Sequence, residues 1–276
     1  MQNQRVDGEA VAIQANSISF GLDGESVTKM FEVMVGQFQN TQQEIQQRVN
    51  KLEISIQEAM KRQGAKIDQD QLADPDVLAT CFDAMRGAAR RNSQVTYDLL
   101  AELVAARLIK GGSTHRDIVI AQAVQIVPKL TKEQIAFLTL VHATLFVNMP
   151  TISNLRYVED FMSKILPFCE PGFDLDEKDK LFVASFGTCS VETFKMWRGD
   201  IFERIANSFV GLGFERRPAE FKAKITTDAP SWLRLLEQVI ASDLLAVRLT
   251  TVGHAIAIAH VAPVFPEMDL KIWVPE

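Results

Sequence analysis

Phe31, Phe38, Ile45, Leu52 and Ala59 recur at seven-residue intervals, and Val35, Gln42, Val49 and Ile56 form a second series offset by four and three. That spacing is the d/a pattern of a coiled coil, and it commits residues 25–63 to one long helix. Gln42 is the polar residue at an a position, the kind that fixes register or oligomer state. Arg48 at g and Glu53 at the following e suit pairing between parallel helices. The glutamine-rich run QFQNTQQEIQQ belongs to the solvated face, because the heptads continue through it. The predicted homo-oligomer interface is Phe31, Val35, Phe38, Gln42, Ile45, Val49, Leu52 and Ile56. Val33, Met34 and Ile54 lie off the seam and support a second reading, a long amphipathic helix packed on its own domain.

The rest of the chain reads as mainly α. Residues 1–24 carry VAIQANSISFG, whose alternation predicts a short β segment; the C-terminal DLKIWV alternates in the same way and is a candidate partner strand, as is the same strand of a second subunit. GAKIDQDQLA, residues 64–73, is the expected linker, and 74–276 the expected multi-helix domain. Asp74 with Pro75 starts a helix to about Arg91; a second runs from about Ser93 to Ile109 and stops at Gly111-Gly112. A third follows Ser113 or Thr114 and ends before Pro128. Thr131 and Gln134 form a capping box for a fourth, apolar helix. Ser153 is expected to start a fifth that ends at Pro167; Asp176, Ser190 and Ser231 read as further caps. A last helix is expected over about 244–261, stopped by Pro263 and Pro266.

Composition narrows the function classes. At 276 residues with 47% hydrophobic content, the chain can bury a core. A net charge of −6 disfavours a general nucleic-acid binder. Three scattered cysteines, Cys81, Cys169 and Cys189, suit reduced thiols in the cytoplasm. The N-terminus has no apolar signal region, and the longest apolar run, Ile135 to Val147, is too short for a membrane span.

The candidate sites are few. His254 and His260 are six apart, so on a helix they do not share a face and cannot chelate one ion alone. His142 sits in the most apolar helix and reads as a hydrogen-bonded core residue; His115 is isolated. The acidic runs at Asp68–Asp76 and Asp174–Asp179 fail the EF-hand pattern and precede helices, where they cap. KGGSTH has its lysine on the wrong side of the glycines for a phosphate loop, and GLGF is too short for a dinucleotide fingerprint. Neither Cys169 nor Cys189 carries a nucleophile signature. Arg86, Arg90 and Arg91 form one basic cluster, a candidate phosphate-binding group; Arg216, Arg217, Lys222 and Lys224 form another, interleaved with Glu215 and Glu220.

Several stretches carry a resemblance. IQANSISFGLD, DPDVLATCFDAMRGAARRN, LLAELVAARL and VPKLTKEQIAFLTLV, and then LTTVGHAIAIAH followed by DLKIWV, in this order and spacing along the chain, resemble a group of uncharacterised, mainly helical bacterial proteins that end in LT-x-VG … DL-x-IW-[IV]. The resemblance implies a helical fold and a link to phage-defence gene neighbourhoods. It supplies no catalytic residues, and His254 and His260 depart from its pattern.

The expectation is therefore a cytoplasmic, non-enzymatic, homo-oligomeric scaffold, sensor or interaction protein without cofactor, metal or membrane contact, with itself and a further protein as partners. The alternatives are a sensing or enzymatic helical domain, with candidates among His142, Cys169, Cys189 and the acidic residues near Asp176, and phosphate or nucleic-acid binding through the local basic cluster.

Overall fold

The computed structural model describes residues 24–62, 74–108, 114–147, 149, 151–192, 199–266 and 268. The expected N-terminal strand, the 64–73 linker and the C-terminal DLKIWV lie outside the described residues. Side chains are described from Thr41 onward, which places those of Phe31, Val35 and Phe38 outside them as well. Among the described residues there are eleven α-helices and two three-residue strands. No helix among them is long and apolar enough to cross a membrane.

The helices are α1 (Gly24–Arg62), α2 (Pro75–Arg90), α3 (Gln94–Leu108), α4 (Thr114–Ile126), α5 (Lys132–Leu145), α6 (Leu155–Cys169), α7 (Glu177–Ser185), α8 (Ile201–Ser208), α9 (Pro218–Asp228), α10 (Pro230–Ala241) and α11 (Thr251–Val261). Local chemistry explains most starts. The Asp74 carboxylate accepts from the Asp76 N–H and Pro75 opens α2. Thr131 and Gln134 make the reciprocal capping box of α5. Asp176 accepts from the Asp179 N–H at the head of α7.

The chain divides into two compact units, residues 1–44 and 45–276. The boundary falls inside α1, so the second unit begins well before the expected linker. Within that second unit the C-terminal part of α1 is core: Leu52 is 1% exposed, Ala59 is fully buried, and Ser55 and Met60 are buried beside them. The Ser55 hydroxyl donates to Asp98, Arg62 pairs with Glu102 at 2.6 Å, and Arg48 donates to the Ala89 carbonyl. Arg48, expected to pair across an interface, thus holds its own chain's α2. Ile45 is 39% exposed and Val49 half-buried.

α5 and α11 form the centre. Both are apolar on nearly every face, as expected for helices enclosed by others. α11 packs on α3, α4, α5 and α6, and α10 packs on α5, α6 and α9. Buried Arg107 bridges Asp76 at 2.9 Å and Asp117 at 3.3 Å, tying α2, α3 and α4 together.

Four expectations are corrected. The last helix starts at Thr251 rather than near 244. A 3-10 turn, Leu244–Ala246, and strand β2, Val247–Leu249, precede it. β2 pairs antiparallel with β1, Cys189–Val191, in the register Cys189↔Leu249 and Val191↔Val247. Ser190 therefore sits mid-strand and caps no helix. Ser231 lies inside α10, where its N–H donates to Glu159. α6 is capped by Asn154 rather than Ser153 and passes through Pro167 to Cys169. Proline is tolerated there because only two residues of helix remain and a 3-10 turn, Glu170–Gly172, follows.

Candidate functional site: buried histidines and a basic cleft

Three of the four histidines meet at the α5–α11 contact. His142 is 1% exposed and His254 6%. Their Nδ1 atoms lie 2.9 Å apart, with the rings edge to face. A bond between two Nδ1 atoms needs one ring to donate its N–H and the other to offer a lone pair, so the accepting ring is neutral with its proton on Nε2. Burial pushes His142 down to about 3, with the neighbouring His254 adding to the shift, and burial alone brings His254 to about 4. The Thr139 hydroxyl donates to the Ile135 carbonyl, which leaves its oxygen to accept from His260 Nδ1 at 2.8 Å. Burial lowers His260 to about 4 as well. Phe146 stands edge-on to His254 and Phe168 to His260.

The sequence spacing holds: His254 and His260 face different partners on α5. What the spacing did not reveal is that His142, 112 residues away, joins His254. Among the described residues, no group of three or more His, Cys, Asp or Glu is arranged to hold a metal ion. The helix start is held by a backbone contact. Thr250 accepts from the Gly253 N–H, its hydroxyl donates to the Gly187 carbonyl at 2.7 Å, and its own N–H donates to the Thr188 carbonyl. A Cβ on Gly253 would sit 2.0 Å from that carbonyl oxygen, so the close approach requires glycine.

The other enzymatic candidates are used in packing. Cys169 is fully buried and its thiol is pushed far up by desolvation and the nearby Glu170. Burial raises Cys189 to about 11, against a smaller opposing effect of the Thr188 hydroxyl. Neither supplies thiolate near neutral pH. Asp176 caps α7, and Asp179 accepts from the buried Gln134 amide. Asp68 and Asp70 lie outside the described residues, as do Lys110 to Ser113.

The two basic clusters fare differently. On α9, Arg217 pairs with Glu220 and Lys224 with Asp228, while Lys222 lies over the Phe202 ring. Arg216 has a φ of 61° and its N–H bonds Asn207. This is a self-compensated surface. The first cluster instead borders a cleft of about 370 Å³ between α2 and the end of α4, lined by Asp83, Arg86, Gly87, Arg90, Val124, Gln125, Pro128 and Lys129. Arg86 and Arg90 are four apart on α2 and share a face. Lys129, distant from them along the chain and absent from their local cluster, arrives from the 3-10 turn Val127–Lys129 that continues α4.

Arg91 is not a lining residue. Its Nε donates to the Pro128 carbonyl at 2.7 Å and so fixes the turn that carries Lys129. Gly87 brings the two walls together: a Cβ there would lie 2.4 Å from Pro128 Cγ. Asp83 accepts from the Gln125 amide at 2.8 Å and stands 3.5 Å from Arg86.

The model of an uncharacterised protein family matches residues 26–219 and 215–274. The chain belongs to that family. The match takes in α1, the histidine contact and the basic cleft, so all three lie in the part of the chain that the family model spans. No curated protein and no solved structure matches this chain.

Proposed function

We propose that this protein is a non-enzymatic, self-associating interaction protein, assembled through the N-terminal part of α1. The reading rests on where burial stops along one heptad series. Leu52 and Ala59 are covered by the chain's own core, whereas Ile45, one heptad earlier in the same d series, is 39% exposed. Gln42 is exposed too. In the sequence the d series continues through Phe38 and Phe31, with Val35 and Gln42 in the companion a series. A run of apolar residues at coiled-coil spacing is best satisfied by a second copy of the same helix. The interface is thereby narrowed to Phe31, Val35, Phe38, Gln42 and Ile45, with Val49 at its edge; Leu52 and Ile56 belong to the body.

The histidines and thiols support a non-enzymatic reading in a positive sense. His142, His254 and His260 hold α5 against α11, and they and the buried Cys169 and Cys189 are in neutral forms unsuited to proton transfer or attack near neutral pH. The resemblance to proteins of phage-defence gene neighbourhoods suggests that the assembled bodies present a surface to a protein partner in antiviral defence.

Light scattering of the full chain at micromolar concentration tests the reading. We expect a multiple of the monomer mass, and a shift towards monomer in Ile45→Lys with unchanged helical content. A monomeric wild-type chain would refute it.

A further inference from the structure

We propose that the cleft between α2 and α4 binds the phosphate group of a small phosphorylated molecule. The lining residues supply three cations, Arg86, Arg90 and Lys129, against one carboxylate, Asp83. The chain as a whole carries −6, so the cleft reverses the local sign. Charges of one sign converging on a concave site focus the field there.

The cations are available for a ligand. Among the described residues, no carboxylate lies within ion-pairing distance of Arg90 or Lys129. Lys129 is steadied by the Phe186 ring, its ammonium 5.7 Å from the centroid. Arg86 is held only at 3.5 Å by Asp83, whose other oxygen is taken by Gln125. Two guanidinium groups one helical turn apart and an ammonium from the facing wall surround an oxyanion from two sides, and guanidinium forks match phosphate oxygens.

Size and chemistry favour a small ligand. The volume of about 370 Å³ falls at the lower end of the range for small-molecule sites. Val124 and Pro128 provide an apolar wall for a non-phosphate part. Nucleic acid needs cations along an extended track. Here a carboxylate stands inside the cleft, and the other basic cluster, on α9, is neutralised by Glu220 and Asp228.

Asp83 is a positioning residue in this account. It holds Arg86 and Gln125 in place, and its charge opposes the incoming anion. Its removal should therefore tighten anion binding, an effect opposite to that of removing a merely structural residue.

Calorimetric titration of the full-length protein at low salt with inorganic phosphate, nucleoside 5′-monophosphates, succinate and a short single-stranded oligonucleotide tests the assignment. We expect phosphate and the monophosphates to bind and compete, with succinate weaker. Arg90→Gln should weaken monophosphate binding by about tenfold or more, as loss of a charged hydrogen bond does. Lys129→Gln, at an exposed position, should do the same, Asp83→Asn should strengthen binding, and Arg217→Gln should leave it unchanged. The absence of binding by every phosphate probe at millimolar concentration would overturn the proposal. So would equal weakening by Arg217→Gln, or succinate binding as well as phosphate. Tighter binding of the oligonucleotide than of mononucleotides, with steep salt dependence, would replace it with a nucleic-acid surface.

Discussion

The histidine contact is the residue-scale feature with the clearest physical consequence. Protonating both His142 and His254 would turn both Nδ1 atoms into donors and break their 2.9 Å bond. Their folded pKa values, about 3 and about 4, and that of His260, about 4, lie below the usual histidine value. The unfolded chain therefore takes up more protons than the folded one as pH falls. Stability is full above about pH 6.5 and falls through the window down to about pH 4, by up to about 1.4 kcal/mol per histidine for each pH unit. Denaturation midpoints measured from pH 7 to pH 4 should show this decline. His142→Leu alone should cost roughly 1–3 kcal/mol at pH 7, because His254 loses its partner on α5. The double variant His142→Leu/His254→Leu should recover part of that loss and flatten the acid limb. An acid limb unchanged in the double variant would contradict the assignment.

Legibility differed at this scale from residue to residue. The caps at Asp74, Thr131 and Asp176 were readable because a cap acts within three residues of chain. The six-residue spacing of His254 and His260 was enough to exclude a shared ligand, since it depends only on helix geometry. The pairing of His142 with His254 depends on how two distant helices cross, which no local spacing encodes. Lys129 was missed for the same reason: it joins Arg86 and Arg90 only because Arg91 and Gly87 hold the following turn against α2.

At the scale of elements, α1 is the informative case. The heptad period pointed to a long helix, and α1 spans 39 residues. Periodicity reports that a face will be buried but not by what. For Leu52 and Ala59 the answer is the same chain; Ile45, in the same series, is 39% exposed. Leu52→Ala should therefore lower folding stability by roughly 2–5 kcal/mol, as loss of a core leucine does. The loss should be independent of protein concentration in chemical denaturation. A loss that shrinks as concentration rises would instead place Leu52 at a subunit interface. The start of α11 shows a different limit. Val247, Arg248 and Leu249 alternate over three residues, too few to be read as a strand before the pairing with Cys189–Val191 is seen.

At the scale of the whole molecule, the unit that begins at Ile45 changes how assembly should be tested. A truncation at the expected linker, near residue 65, would remove Leu52, Ser55, Ala59 and Met60 from the core and confuse assembly with folding. A chain starting at Ile45 keeps them. Native mass measurement of the full chain and of residues 45–276, over a range of micromolar concentrations, is the most direct test of self-association through α1. The full chain should be an oligomer and the shorter one a folded monomer. A monomeric full chain, or an oligomer that survives the truncation, would contradict it.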